Sequence, residues 1–527
     1  MKKTLALLLA VLTLTALLAA CAQPTATAPA QAASQTQQAG TGSAQTQAAT
    51  LPDNVDKWGR PKVASNIPAD KKFNGETVNF VTDSFRSRIN EFYVETSDGD
   101  IINDAIYERN LRVEDALNVK LNFIEIPGVG NRDFASAMTT AVLTGTGDYD
   151  ICAGYGYFLT SAVRSLAFAN LMDIQEISSL DLEKPWWNQF YVSEVTLADQ
   201  LYTITGDICL TATSRAGCIF FNKRLADEHL QAFGGANGLY DLVDNYQWTI
   251  DKFAEIVKDV YNDTDGDGVP SEGDFYAFSS IWSGPLPCDA FQYGMDAPIT
   301  RKDPATGEVK FVYDDGKMVQ VVEKLWNLNN NSKGVLYSTD YYNNGEKRQL
   351  ITDKFINGEL IFYSYALESA QHFREMADDF GILPMPMFDE AQHAYYTSQE
   401  DTYSAVAILS DVEEVFHRGD LVGTTLEKLC EESYREVNPN YFEVVMKFRY
   451  LRTDSANQRD IAMYDYITGG SKFNFGLVYS SAIDDPSFML RHLIGRDNST
   501  GFVSYWQQRE TQIKTLYNGL IGWFTEE

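Results

Sequence analysis

The sequence predicts an α/β protein built on doubly wound, mainly parallel sheets, and three observations carry that expectation. Strand-like and helix-like periodicities alternate from Thr77 to Cys152 in the order strand, helix, strand, helix, strand. A second α/β region begins near Tyr202 and Ile219-Phe220-Phe221-Asn222. At 527 residues, 44% of them apolar, the chain is too long for one ordinary domain and rich enough to bury large cores.

The first strand is Thr77-Val78-Asn79-Phe80-Val81-Thr82. A helix follows from about Ile101 to Leu117, where Ile102, Ala105, Ile106, Val113, Ala116 and Leu117 share one face. The second strand alternates Val119, Leu121 and Phe123 with Lys120 and Asn122. A helix from Phe134 to Leu143 ends in Gly145-Thr146-Gly147, and a short strand runs Tyr149-Asp150-Ile151-Cys152. Ligands of such sheets bind beyond the carboxyl ends of the strands. That rule singles out Asp83-Ser84-Phe85-Arg86 after the first strand and Gly154-Tyr155-Gly156-Tyr157 after the third.

In the second region a helix is expected from Thr249 to Tyr261. Thr249 can cap it, and Trp248 can pack on Phe253 as a hydrophobic staple. Ile250, Phe253, Ala254, Val257, Val260 and Tyr261 form its buried stripe. Later, Tyr403-Ser404-Ala405-Val406-Ala407-Ile408 reads as a strand returning to the first region, and the remainder is largely helical in pattern.

The net charge is −31, from 73 acidic and 42 basic side chains. Such an excess repels phosphate backbones and anionic head groups, so nucleic acid is excluded as a partner and a strongly anionic substrate is disfavoured. Neutral or cationic small molecules remain. At the amino end, Lys2 and Lys3 precede an uncharged apolar run from Leu5 to Ala20, short for a membrane span and suited to a secretory signal. The run ends Leu18-Ala19-Ala20-Cys21 and resembles a bacterial lipobox, in which the cysteine receives the lipid. Residues 22 to about 50 hold no charge and no aromatic side chain, the composition of a flexible tether. The other five cysteines, Cys152, Cys209, Cys218, Cys288 and Cys430, have no tight spacing and read as buried free thiols, with a Cys209–Cys218 pair as the alternative.

The sharpest local motif is the acidic loop from Asp263 to Asp274. Carboxylates of Asp263, Asp265, Asp267 and Asp274 occupy positions 1, 3, 5 and 12, with Gly268 at position 6, as in the twelve-residue calcium loop. The carbonyl of Val269 and the side chain of Ser271 complete the candidate ligand set for a structural Ca2+. Asp at position 12 is shorter than the usual Glu, and the flanking helix and strand make this a single loop. The alternative is an Asp/Gly-rich surface turn without metal.

Enzyme signatures are missing: no Gly-x-Ser-x-Gly, no His-Glu-x-x-His, no phosphate loop and no Cys-x-x-Cys occurs. The five histidines are scattered. Aromatic residues offer a positive argument for binding, because sugar rings stack on Trp and Tyr while Asp, Asn and Arg hold their hydroxyls. Tyr155 and Tyr157, Trp282, and Tyr363 and Tyr365 follow or end strand-like runs, with Asp83, Arg86 and Asp207 as polar partners. Core packing is the competing reading of each aromatic, and it is the favoured one for Trp186, Trp187 and Trp326.

In order and spacing, several segments resemble the extracellular solute-binding proteins of family 1, the sugar-type receptors of bacterial ABC importers. They are Gly59-Arg60-Pro61, Gly145 to Ile151, Leu201-Tyr202, Phe221-Asn222-Lys223, Trp248-Thr249, Phe355-Ile356-Asn357-Gly358 and Phe380 to Pro386. The resemblance spans about residues 58 to 470. It implies a two-lobed periplasmic-binding-protein-like fold of type II, with ligand in the cleft and closure by hinge bending. Implied crossings lie near 202–220 and 398–408. The corresponding organisation is a signal peptide at 1–20, a lipidated Cys21 with tether at 21–57, a first lobe at 58–205 and 405–435, and a second at 206–404 and 436–527. Tyr365 stands where relatives often carry Trp.

The implied role is a receptor, not an enzyme: a monomeric lipoprotein, lipid-anchored at the extracellular face of the bacterial cytoplasmic membrane. It would capture a small solute, with a carbohydrate such as an oligosaccharide as the expected cargo, for ABC permease subunits. A surface-tethered glycan-degrading enzyme, a binder of peptides or other polar solutes, and a sensing subunit for a membrane kinase are the alternatives.

Overall fold

A computed structural model describes residues 54–58, 60, 62–282, 285–342, 344–451 and 458–525. The expected signal peptide, Cys21 and the expected tether up to residue 53 lie outside the described residues. The Asp56 carboxylate accepts from the amides of Trp58 and Arg60 and from Arg60 Nε. No helix of the described residues is long and apolar enough to cross a membrane.

Within Lys62–Glu527 the strands form two principal sheets. The first contains β1 (Glu76–Thr82), β2 (Val119–Glu125), β3 (Ile151–Tyr155) and β12 (Ser404–Ile408), in the order β12-β3-β1-β2. β1, β2 and β3 run parallel, and β12 is antiparallel to β3. Ile204 bridges Val406 on the far side of β12, extending this sheet by a fifth position. The second sheet has the order β11-β4-β10-β6-β5, built from β4 (Gly217–Asn222), β5 (Tyr261–Asn262), β6 (Phe275–Ser280), β10 (Leu360–Ala366) and β11 (Phe380–Leu383). β9 (Val335–Leu336) pairs in parallel with β6. β4 is antiparallel to both neighbours, as β12 is in the first sheet, so the lobes repeat one topology. A separate hairpin joins β7 (Thr300–Lys302) to β8 (Val309–Phe311).

Local sequence accounts for much of this. The helix Ile101–Leu117 coincides with its apolar stripe: Asp100 accepts from the amides of Ile102 and Asn103, and Asn118 closes it in the left-handed conformation. The next helix, Asn131–Thr144, stops at Gly145, whose φ of 63° suits glycine. In the second lobe Thr249 Oγ1 accepts from the Lys252 amide, and the Trp248 and Phe253 rings lie 5.3 Å apart, so cap and staple both form. That helix ends at Val257, short of the expected Tyr261, because Tyr261 pairs with Tyr276 as a strand residue.

Among the described residues two connections run directly from one sheet to the other. One runs through residues 206–216. The other occupies residues 384–403, longer than the expected 398–408, since Ser404–Ile408 already belongs to the first sheet. They pair with each other: the Gly217 amide donates to the Ser398 carbonyl (3.0 Å), and the Glu400 amide to the Arg215 carbonyl (2.9 Å).

The helix Gly419–Glu432 packs on Ile101–Leu117 of the first lobe, whereas Gln458–Gly469 packs on β11 of the second. The last helix, Phe502–Thr525, reaches both: Tyr517 donates to the Val309 carbonyl, and the Phe524 carbonyl accepts from Gln200 Nε2. Cys152, Cys209, Cys218, Cys288 and Cys430 are all buried free thiols. Trp186 and Trp187 are packing residues, and both indole N–H groups donate to the buried Glu427 carboxylate, at 3.0 and 2.9 Å.

Candidate functional site

The cleft-side end of the molecule follows from strand direction. The parallel strands β1, β3, β6 and β10 finish there, and the antiparallel β12 and β4 start there, with Ser404 opposite Tyr155 and Gly217 opposite Ala366. Both crossings therefore arrive at the same place as the loops after β1, β3 and β10.

The loop after β1 is held by charge. Asp83 is fully buried, and its carboxylate accepts from the amides of Phe85 (2.8 Å) and Tyr155 (3.2 Å) and from Arg88 Nε (3.1 Å). Arg88 also donates to Ser404 Oγ. Glu91 accepts from the amide and hydroxyl of Thr211, both at 2.8 Å, and from Ser404 Oγ. Between these anchors Arg86 and Ser87 both take left-handed backbone, each with φ of 53°. For non-glycine residues that costs roughly 1–2 kcal/mol each, a strain that surrounding contacts must hold in place. Its consequence is that the Arg86 side chain is half exposed, 3.8 Å from Glu400 and stacked over the Phe85 ring. Among the described residues its guanidinium makes no hydrogen bond.

The crossings supply the centre. Arg215 donates to Glu400 (3.1 Å) and Thr402 and lies 3.7 Å from Glu368, which accepts from Ser214 Oγ. Burial pushes the Glu400 carboxyl up, and the neighbouring Arg215 opposes that shift. Behind it lies a buried triad: Arg491 donates to Asp289 and to Asp401. Burial pushes Asp289 up to about 6 against the pull of Arg491. Tyr155 donates to Asp401, and Tyr157 to Asp485. Burial and these carboxylates keep both phenols protonated, so they act as donors.

A cavity of about 250 Å³ opens beside this network, lined by Phe85, Arg86 and Glu91 from the first lobe, Thr211 and Arg215 from the crossing, Glu368 from the second lobe, and Tyr441. It presents guanidinium donors, carboxylate acceptors and aromatic walls together.

The sequence-derived candidates divide accordingly. Asp83, Arg86, Tyr155 and Tyr365 converge here, Asp83 and Tyr155 as buried framework and Arg86 at the cavity. Tyr365 is half-buried, its phenol pushed up to about 12 by burial and by the charge of Glu400. Tyr157 sits one turn behind, against Phe158 and Phe488. Asp207 lies in the first crossing, where its amide donates to the Trp186 carbonyl. Trp282 is fully buried between Phe278 and Phe291, and Tyr363 among Phe220, Phe355 and Phe373. Those two rings are packing residues of the second lobe in this conformation. Glu91, Thr211, Arg215, Glu368, Glu400, Asp401 and Arg491 were not singled out by sequence. Their one legible signal is that Arg215 and Glu400-Asp401 fall in the two expected crossings.

In the acidic loop, carboxylate oxygens of Asp263, Asp265 and Asp267 lie within 4.8 Å of one another. Asp263 accepts from the amides of Gly266 and Gly268 (2.7 Å each), and Asp267 from Val269. Asp274 closes the loop, accepting from the amides of Thr264 (2.9 Å) and Ser271 (2.8 Å) and from the Tyr261 hydroxyl. The backbone bond from Thr264 leads the contacts that hold its carboxyl below the usual range. Asp274 thus serves the loop's own backbone, while Val269 has an exposed side chain.

No family model matches the chain, and no curated protein does. Solved structures do. UgpB from Mycobacterium tuberculosis, in complex with glycerophosphocholine, is similar at 14% identity and a TM-score of 0.53, over 85% of this chain and 100% of its own. UspC from M. tuberculosis is similar at 12% identity and a TM-score of 0.50, over 83% of this chain and 99% of its own. At these identities the likeness establishes the two-lobed fold.

Proposed function

We propose that this chain captures a small polar solute, most simply a carbohydrate, in the cleft between its lobes and delivers it to an ABC importer without covalent chemistry. The observation that carries the reading is the cavity where both lobes and the first crossing present hydrogen-bonding groups to one point. A ligand bridging Arg86 on one side and Glu368 on the other favours the closed arrangement only through contacts the open one lacks. The volume of about 250 Å³ lies under the roughly 300–1,000 Å³ usual for ligand pockets, which favours a short solute over a long glycan. The lipobox-like Cys21 supports anchoring at the outer face of the cytoplasmic membrane, where a permease would read the closed shape.

A second reading rests on Arg86: a half-exposed guanidinium without a hydrogen bond suits a phosphodiester or carboxylate, and UgpB is found with glycerophosphocholine. A thermal-shift panel on the full chain, with mono- and oligosaccharides and glycerophosphocholine, separates the two. The expected result is a shift with short sugars and a tenfold or greater affinity loss in Arg86→Ala, the size of a lost charged hydrogen bond of about 1.5–3 kcal/mol. A shift with glycerophosphocholine alone overturns the sugar in favour of the second reading, and consumption of a sugar overturns the receptor in favour of an enzyme.

For the acidic loop we propose a structural Ca2+ held by Asp263, Asp265 and Asp267, whose spacing and clustering support it.

A further inference from the structure

A second concave site lies on the outer edge of the second sheet. There β5 and β9 both flank β6, and a groove of about 610 Å³, more than twice the cleft cavity, runs between the acidic loop and residues 332–338. The loop precedes the amino end of β6, and the cleft lies at the carboxyl ends of the strands, so the two sites are separate.

Three tyrosines line the groove, and all three hydroxyls are engaged in the protein. Tyr261 donates to Asp274, Tyr276 to the Ser271 carbonyl and Tyr337 to the Ile494 carbonyl. With the hydroxyls fixed, the half-buried Tyr261 and Tyr337 are left to present ring surface. They are held before any ligand arrives, so little side-chain entropy is lost on binding. Of the charges on its wall, Glu272 pairs with Lys347 at 3.0 Å and Asp263 accepts two loop amides, while Lys333 is exposed. Ser332 and Ser338 add polar groups on the opposite wall.

We propose that this groove is a second binding site, for a neutral glycan chain that stacks on Tyr337 and Tyr261. Fixed aromatic rings and serine hydroxyls match a ligand of C–H faces and hydroxyls better than an ion or a peptide terminus. The larger volume takes a chain that the cleft cavity does not. The receptor would then hold on to a polymeric glycan through the groove while the cleft takes a short solute. Because Asp263 and Ser271 belong to the groove wall, an ion in the acidic loop would change glycan affinity, and the glycan would change ion affinity by the same factor.

Hydrogen–deuterium exchange on the full chain, with maltotetraose and cellotetraose as probes, locates binding by segment. The expected result is slowed exchange in 261–276 and 332–338 with at least one probe. Tyr337→Ala should weaken that protection tenfold or more, and Tyr337→Phe, which keeps the ring, should retain it. Ser338→Arg fills the groove from a half-exposed position and should abolish it even if Tyr337→Ala proves unstable. Segments 83–91 and 210–215 report the cleft independently. Protection confined to those segments, groove protection that survives Ser338→Arg, or no protection from either probe overturns the proposal.

Discussion

The two sheets share one strand order and finish their cleft-side ends in opposite ways. In the first lobe the loops after β1 and β3 deliver Asp83, Arg88, Glu91 and Tyr155, each tied by hydrogen bonds to the crossings or to one another. In the second lobe the corresponding stretches deliver Trp282 and Tyr363 into an aromatic core, and among the described residues Asp289, Tyr365 and Glu368 reach the centre. A high aromatic content is therefore not a measure of a sugar-stacking cleft. The cleft is specified by buried charge, and the rings mostly build the wall behind it.

Removing charge at the centre should break that contrast most strongly. Arg491→Met keeps much of the side-chain volume but leaves Asp289 and Asp401 buried without their cation, and such losses cost about 3–5 kcal/mol. Urea unfolding should show a loss of that size. A change under 1 kcal/mol would mean that the cleft-side centre does not depend on its buried charge.

Glu427 asks whether the first lobe's interior follows the same rule. Its carboxylate is fully buried, and burial pushes it up to about 7 from an ordinary value of 4.5, although Trp187, the Asp181 amide and Trp186 donate to it. The native state therefore binds a proton between those two values that the unfolded chain has released. Stability from this group is complete below about pH 4.5 and lost as the pH rises through about 7. Up to about 3 kcal/mol is at stake by pH 8. Glu427→Gln should unfold later than the parent at pH 8 and lose that advantage at pH 4. Parallel melting curves at the two pH values would refute it.

The smallest of these effects belongs to the second lobe, whose acidic loop holds the one group of three carboxylates among the described residues close enough together to share a metal ion. Calcium at a hundred times its dissociation constant should add about 2.7 kcal/mol where native binding is coupled to unfolding. Asp265→Asn should remove most of that shift. Equal melting with calcium and with a chelator would leave the loop as a turn held by its own Asx bonds.

Much of the fold was legible because it is local. The periodicity of Ile101–Leu117, the Thr249 cap, the Trp248 staple and the returning strand near 404 all depend on residues within a turn or two of each other. Even the misjudged end of the 250–257 helix has a local reading: Tyr261 fits a stripe by spacing, and strand pairing with Tyr276 overrode it.

By itself the sequence determined the α/β class, the elements of the first lobe, the acidic loop, the solute-binding resemblance and the absence of a recognisable catalytic motif. Only the tertiary structure decided which charges meet. Arg491 reaches Asp289 across 202 residues and Asp401 across 90, and Glu91 reaches Thr211 across 120. Periodicity reports which face of an element is buried, not which other element covers it. For the same reason Tyr363 and Tyr365, two residues apart on β10, looked alike in sequence. The packing of Phe355 and Phe373 claimed the first for the core, while the charges of Glu400 and Arg215 met the second.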